Sequence, residues 1–490
     1  MIRLMLNTPD QHDFVDPSVE LDARRLRKLL SGLPVLNLGE SLRIVLNVLE
    51  PLNEQKLDCR QRLKLLEVYL PTARQLYDTA EPLRLRQLPL SRQQRLAIID
   101  DVERLCSGMA NGFKIVIQEW YRGGRYEKDL ARFGQLLRWA LLQLGCQLVH
   151  SYRFYRPLPP FLFLELNQLY RLARHLGQHE QTGDDEGALS LAAVYQALSM
   201  LALCDPFHLA EGQVDAWYRT LIQYAPQCRI VPGNSWKGVP EGLFFVDFVS
   251  DSHPRPCVFL SPPVEGEDPH LLDARRALQD MHKALAALPA DRRRQRPEAG
   301  ILRALLPEVD AGDKRRQVRR SDGHQVEALT GIDMIHAWLS QPPPDHPGAP
   351  PWQVRDVSEQ GYRLARDENT TGELGAGELI CVLSEGSRPQ LGLVRWVRNE
   401  RGVGTEIGVE RLDGVPAPVR LLAGDEGDGE HRALFLPSGN GQPARLVASK
   451  GVYRPGRALN IVAGDKTVAV CCTDCVVESP LLDCFEFTSG

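Results

Sequence analysis

From about residue 19 to 225, apolar residues recur three and four positions apart, as in "LDARRLRKLLSGL", "CRQRLKLLEVYLPTARQLYDTA", "QRLAIIDDVERLCSGMANGF" and "RFGQLLRWALLQLGCQLVHSY". That spacing lines apolar side chains along one face of a helix, and prolines and short polar breaks part each run from the next. A helical bundle or array is expected, with no fixed-period repeat that would mark a solenoid. In "PLPPFLFLELNQLYRLARHLGQ" two prolines suit a helix start, and Phe161, Leu164, Leu169, Leu172 and Leu176 are expected on one side of that helix.

Between roughly 229 and 310 the texture changes. "GLFFVDFVSD" and "PCVFLSP" read as short strands bounded by Gly and Pro, and "DPHLLDARRALQDMHKALAAL" as an amphipathic helix opened by Asp and Pro. From about 320 onward helical periodicity gives way to short runs rich in Val, Ile, Leu and Thr. These are "HQVEALTGIDMIHAWL", "WQVRDVSEQGYRLA", "ELICVLSE", "LGLVRWVRNE", "GTEIGVERL", "ARLVAS", "ALNIVAG" and "TVAVCCTDCVV". Regularly spaced short strands parted by Gly, Pro and Asp predict an antiparallel barrel or sandwich. The expected fold class is α+β multidomain. A helical domain spans 1–228, a mixed α/β connector 229–312, and an antiparallel β-barrel with a C-terminal β extension 313–490. A chain of 490 residues is long enough for two or three such cores.

Composition narrows the function classes. Hydrophobic residues at 43% and charged residues at 25% are ordinary for a globular protein, which excludes disordered, fibrous and membrane-spanning classes. A net charge of -5 gives the whole chain no pull toward nucleic acid or anionic lipid, so any bound anion needs a local cationic cluster. The N-terminal "MIRLMLNTPDQHDFVDPSVE" lacks the apolar stretch of a signal peptide, and no segment has the length to span a bilayer. Eleven scattered cysteines, several inside apolar runs (Cys106, Cys146, Cys204), suggest reduced core thiols and a cytoplasmic setting.

Two short motifs carry the candidate chemistry. "KRRQVRR" at 314–320 holds Arg-x-x-x-Arg in two overlapping frames, Arg315 with Arg319 and Arg316 with Arg320. Arginine presents a planar, permanently charged fork that takes phosphate oxygens in pairs, bonds the O6 and N7 edge of guanine and stacks on purines. A basic run of this kind is also what a solvated linker looks like. "DVSEQG" at 356–361 sets Asp356, Ser358 and Gly361 as Asp-x-Ser-x-x-Gly on a strand that turns a corner. A plain β-turn, with Asp356 and Ser358 bonded to nearby amides, accounts for it equally well in isolation.

Taken together, a basic Arg-x-x-x-Arg segment entering a barrel and Asp-x-Ser-x-x-Gly at the end of an early strand resemble the PilZ domain, a family of bacterial cyclic-di-GMP receptors. "LGLVRWVRNERGVGTEIGVERL" is similar to the later strands of that family, so the resemblance covers about 314 to 415. It implies a PilZ-like barrel that binds cyclic-di-GMP through Arg315, Arg316, Arg319, Arg320, Asp356, Ser358 and Gly361. Asp356 would accept from the N1 and N2 edge of guanine, Ser358 would add a polar contact, Gly361 would admit close backbone approach, and the arginines would fold over the ligand. One nucleotide or a stacked dimer fits this reading, and either arginine frame can serve. The insert "SQPPPDHPGAPP" separates the two motifs by more than a tight hairpin. Trp352, Arg355 and Trp396 are candidates for shaping the pocket, although strand packing explains both tryptophans more simply.

The combination with a helical half also looks like a pseudomonad receptor acting on type IV pili. The resemblance implies signal transduction toward surface behaviour such as pilus motility and biofilm formation, an unidentified protein partner on the helical half, and a cytoplasmic site compatible with recruitment to a cell pole. The alternative is a scaffold or adaptor whose barrel no longer binds ligand. No enzyme, cofactor, metal or nucleic-acid partner is expected. "EAL" at 327–329 sits among strands rather than in an α/β barrel, and "AGDEGDG" at 423–429 reads as a surface loop. Cys472 and Cys475, with Cys484 and His431, supply one Cys-x-x-Cys pair where a zinc site usually needs two. "RGVGTEIG" reads as a hairpin turn rather than a dinucleotide loop.

Overall fold

The computed structural model describes residues 3–489 except 15, 18, 35, 184–188, 294–295, 307–319, 322, 342–350, 368–373, 385, 424–428, 440 and 442. The chain divides into two compact units, one of residues 1–206 and 212–311 and one of 207–211 and 312–490. Among the described residues no helix is long and apolar enough to cross a membrane.

The first unit begins with helices α1 (Ala23–Ser31), α2 (Leu38–Glu54), α3 (Cys59–Thr79), α4 (Pro82–Gln87), α5 (Arg92–Arg122), α6 (Leu130–Arg153), α7 (Leu162–His175), α8 (Leu191–Leu203) and α9 (Gln213–Tyr224). The three-four periodicity thus delivers a helical array. Helix α5 starts at a reciprocal capping box, in which Ser91 accepts from the Gln94 amide and Gln94 accepts from the Ser91 amide. Helices α5 and α7 are tied by a buried ion pair: Lys114 Nζ donates to both carboxylate oxygens of Glu165 at 2.8 and 2.9 Å. The Asn7 amide adds a bond to the same carboxylate at 2.7 Å.

Helix α7 departs from the expected face. Phe161 is not part of it but stands before it, half exposed at 50%, with a left-handed φ of 66°. The orphan amides of the helix start are satisfied from afar: Asp251 accepts from Phe161 N at 2.9 Å and from Leu164 N at 3.1 Å. Leu162, Phe163, Leu166, Leu169 and Leu172 bury in its place. Leu164 and Leu176 are only partly covered.

After α9 come β1 (Arg229–Pro232), β2 (Leu243–Asp247), β3 (Arg255–Pro256) and β4 (Pro269–Asp273), followed by α10 (Arg275–Ala286), α11 (Ala290–Arg293) and α12 (Pro297–Leu305). The strands form an antiparallel sheet in the order β1-β4-β2-β3. Two expectations are corrected. "PHLLD" is the central strand β4 rather than the start of a helix, because Leu271 and Leu272 bury between β1 and β2. In "PCVFLSP" only Pro256 belongs to a strand, as the end of the short β3, and Cys257–Phe259 is a 3-10 turn instead.

The second unit holds β5 (Arg320–Ser321), β6 (Gln325–Thr330), α13 (Ile332–Ser340), β7 (Trp352–Ser358), β8 (Gly361–Arg366), β9 (Leu379–Leu383), β10 (Gln390–Glu400) and β11 (Gly404–Arg411). These strands pair in the order β5-β7-β6-β9-β10-β11-β8, and β8 pairs back to β7, so six of them close a barrel with β5 laid against one side. The remaining strands are β12 (Ala417–Ala423), β13 (Glu430–Leu436), β14 (Arg445–Ser449), β15 (Ala458–Ala463), β16 (Lys466–Glu478) and β17 (Leu482–Ser489). They close a second barrel in the order β12-β13-β14-β17-β16-β15. The β extension is therefore a complete barrel of its own, which leaves no open sheet edge there.

"IDMIHAWLS" is a further correction, forming helix α13 rather than a strand. Ile335 on this helix is fully buried, and one core runs from Leu329, Leu379 and Cys381 of the first barrel through Ile335 to Leu434, Val447 and Leu482 of the second. All eleven cysteines are unbridged, and eight of them are buried, as expected of core thiols.

Candidate functional site

The Asp-x-Ser-x-x-Gly motif is the β7–β8 hairpin. Ser358 ends β7, Glu359 and Gln360 form a two-residue turn, and Gly361 opens β8 directly opposite Ser358. The ladder shifts register between Val354 and Asp356, so Arg355 is the bulged residue and is exposed. Past the bulge, Asp356 faces Arg363 and Val357 faces Tyr362.

The other edge of β7 receives β5. Arg320 stands opposite Val357 and Ser321 opposite Asp356. The register thus brings the backbone of Arg320, whose side chain is exposed, against the motif strand despite the long insert between the motifs. Directly opposed residues share a face, so Arg320 falls on the face of Val357, which alternates with the face of Asp356 and Ser358. Arg315, Arg316 and Arg319 lie outside the described residues.

Asp356 is mostly covered, its side chain 18% exposed, and its Oδ2 lies 3.8 Å from Nη1 of Arg363. Arg363 turns its other edge to β11, where Nε donates to Glu406 Oε1 at 2.8 Å and Nη2 to Oε2 at 3.0 Å. The fork to Glu406 raises the Arg363 guanidinium further above its usual value. Ser358 Oγ is 3.5 Å from the Gly361 carbonyl, a long contact.

Gly361 has a structural reason of its own. A Cβ at this position would sit 2.0 Å from the Val409 carbonyl oxygen of β11, so only glycine lets β8 lie this close. Gly408 shows the same device in a different place: its missing Cβ leaves room for the Trp396 indole, whose Nε1 would be 2.0 Å away from such an atom. Trp396 packs across β11 in this way and is partly covered. Trp352 is fully buried inside the barrel with the Arg366 guanidinium 4.3 Å above its ring.

Sequence reasoning missed Arg363 and Glu406. The alternation in "GYRLAR" points Arg363 to the face opposite Leu364, but its partner is 43 residues away and only the β8–β11 register joins them. The motifs set aside have structural positions. "EAL" runs along β6, with Ala328 and Leu329 buried. "RGVGTEIG" makes the β10–β11 turn, and most of "AGDEGDG" lies outside the described residues. Cys475 Sγ approaches the Cys484 carbonyl oxygen at 3.7 Å, and among the described residues no group of three or more His, Cys, Asp or Glu is gathered for a metal.

Comparison with known proteins adds three findings. Residues 24–233 match the family model described as cyclic-di-GMP receptor FimW, N-terminal domain. Residues 344–418 match the one described as cyclic-di-GMP receptor FimW, middle PilZ domain, which includes the β7–β8 hairpin but not the arginine lead-in. A curated relative, the cyclic-di-GMP receptor FimW of Pseudomonas aeruginosa, is 25% identical over 94% of this chain and 89% of its own length. No solved structure matches. With models of one family matching its helical array and its first barrel, and a relative aligned over nearly its full length, the chain belongs to the FimW family of PilZ-domain cyclic-di-GMP receptors.

Proposed function

We propose that the protein is a non-enzymatic receptor that binds cyclic-di-GMP at the β7–β8 hairpin and converts binding into control of surface behaviour such as type IV pilus motility or assembly and biofilm formation. The observation that supports this reading is the β5–β7 pairing, which brings the strand carrying Arg320 onto the motif strand, with Arg320 opposite Val357 in the middle of the motif. On this reading Asp356 accepts from a guanine edge and Ser358 adds a polar contact. Gly361 keeps the floor of the site close, and Arg315, Arg316, Arg319 and Arg320 supply phosphate countercharge and purine stacking.

The helical domain (1–228), the connector (229–312) and the barrels (313–490) divide the work: the barrel senses, and the helical half engages a protein partner in the cytoplasm. The arginine lead-in that contacts the ligand is covalently joined to the connector, so on this reading the ligand acts on the link between the parts. No nucleic acid and no metal take part.

Arg316→Ala/Arg320→Ala tests the arginine role. Each charge-assisted contact contributes about 1.5–3 kcal/mol, so the double variant is expected to lose about 100-fold or more in cyclic-di-GMP affinity. Equilibrium dialysis with labelled nucleotide reads this, with GTP and cyclic-di-AMP as competitors that fail. A scaffold that has lost ligand binding would give no uptake in either protein.

A further inference from the structure

Within the first unit, the start of β1, the end of β4 and one face of α10 border an open cleft of about 590 Å³ with no apolar side chain in its lining. Four cations, Arg229, Arg275, Arg276 and Lys283, stand there against two carboxylates, Asp273 and Asp280. The positive excess is local, since the chain as a whole carries a net charge of -5. Two of the four cations are committed. Arg275 forks onto Asp273, Nε to Oδ1 at 2.9 Å and Nη2 to Oδ2 at 2.5 Å, and its amide donates to Oδ1 at 3.1 Å. Lys283 Nζ donates to Asp280 Oδ1 at 3.0 Å. Arg229 stands directly opposite Asp273 in the β1–β4 ladder and shares its face, but Arg275 already holds both oxygens of that carboxylate. Among the described residues neither Arg229 nor Arg276 has a hydrogen bond or an ion pair, and both are exposed.

A small-molecule site is mostly apolar and covers most of its ligand's surface. This cleft does neither, because its lining is wholly polar and all four cations are exposed. An acidic chain laid across it suits it better: carboxylates pair with guanidiniums as two-point forks, and Gln227 and Gln279, the other lining residues, can bond a peptide backbone. We propose that the cleft is the docking site for an acidic segment of a protein partner, with Arg229 and Arg276 each taking one carboxylate. The inference rests on the partner part of the reading above, extends that contact onto the connector, and does not depend on nucleotide binding. Asp273 limits the strength of the contact, because it neutralises a third guanidinium, that of Arg275.

The experiment measures the fluorescence anisotropy of a labelled peptide of alternating Glu and Gly against the full chain at low salt, with a peptide of Gln and Gly as the blank. Wild type should bind the Glu peptide and not the blank. Arg229→Gln/Arg276→Gln should weaken binding about tenfold, the scale of two partly screened charge pairs. Arg24→Gln/Arg25→Gln removes the same charge from exposed positions on α1 and should bind as wild type does. Asp273→Asn keeps an oxygen for the Arg275 amide but releases the guanidinium, and should tighten binding several-fold. Thermal melts verify that each variant folds. No binding by folded wild type, unchanged binding in Arg229→Gln/Arg276→Gln, equal loss in both arginine variants, or Asp273→Asn no tighter than wild type overturns the inference. So does inorganic phosphate that displaces the labelled peptide as well as unlabelled peptide does, which would make the cleft a small-anion site. Cyclic-di-GMP uptake should be the same in wild type and Arg229→Gln/Arg276→Gln. Its absence from both overturns the receptor reading and leaves this inference standing.

Discussion

Lys114→Met is expected to destabilise the helical unit by about 3–5 kcal/mol at neutral pH, the usual cost of removing one partner of a buried ion pair. Both side chains of the Lys114–Glu165 pair are only 6% exposed, so water cannot replace the lost ammonium. Burial pushes Glu165 above the ordinary carboxylate value and Lys114 below the ordinary ammonium value, each opposed by its partner's charge. With Lys114 gone the opposition ends and Glu165 rises further. A carboxyl raised in the folded state holds its proton more tightly than in the unfolded chain. Its contribution to stability is therefore complete below the unfolded value and is lost as pH rises through the folded one. The gap between variant and wild type should shrink from about pH 8 to about pH 5. Urea unfolding followed by the far-ultraviolet helical signal reads both effects. Lys114→Met/Glu165→Leu should recover most of the loss, since an apolar pair leaves no buried charge. A cost below about 1 kcal/mol, or one that grows on acidification, would contradict the account.

Gly361→Ala is the second large effect, with a cost of about 3 kcal/mol or more to the first barrel. The added methyl would meet backbone, 2.0 Å from the Val409 oxygen and 3.1 Å from its carbonyl carbon, so no side chain can move aside. Relief requires β8 to pull away from β11, whose ladder runs from Gly361 opposite Glu410 to Arg366 opposite Thr405. The next turn bond, Arg411 N to Gln360 O at 2.8 Å, is strained by the same shift. Glu359→Ala, at the exposed turn itself, should stay within about 0.5 kcal/mol of wild type. Denaturant melts followed by barrel tryptophan fluorescence separate the two, and equal stability of both variants would remove the steric reason for the glycine.

The sheet topology of the barrel was legible where side chains alternate. In "LGLVRWVRNE" and "GTEIGVERL" the period of two marks β10 and β11 directly, and the glycines between them mark their turn. Helix α13 was not, because in nine residues its Ile332, Ile335 and Trp338 look as strand-like as helical, and only its place between two barrels decides. "PHLLD" failed for the converse reason: an Asp-Pro opening suits a helix, but neighbours on both sides claim the segment as a strand. Phe161 was misassigned because the residue that caps α7, Asp251, comes from 90 positions away. Of the candidate site, the hairpin bearing Asp356, Ser358 and Gly361 could be read from spacing alone. The approach of Arg320 and the Arg363–Glu406 fork could not, since both depend on strand register across the insert and across β8–β11.

The same dependence on register separates two uses of one motif. Ser358 and Gly361 would close a two-residue hairpin in any barrel, with or without a ligand. The pairing of Arg320 with Val357, by contrast, adds nothing that the hairpin needs, and a cationic residue next to the motif strand suits an anionic guanine nucleotide. Calorimetric titration of the purified full chain with cyclic-di-GMP, run beside Asp356→Ala, tests this most directly. The account expects saturable heat from the wild type that GTP and cyclic-di-AMP do not produce, and its loss in Asp356→Ala with the barrel still folded. No heat from folded wild type, or equal heat from both proteins, would contradict it.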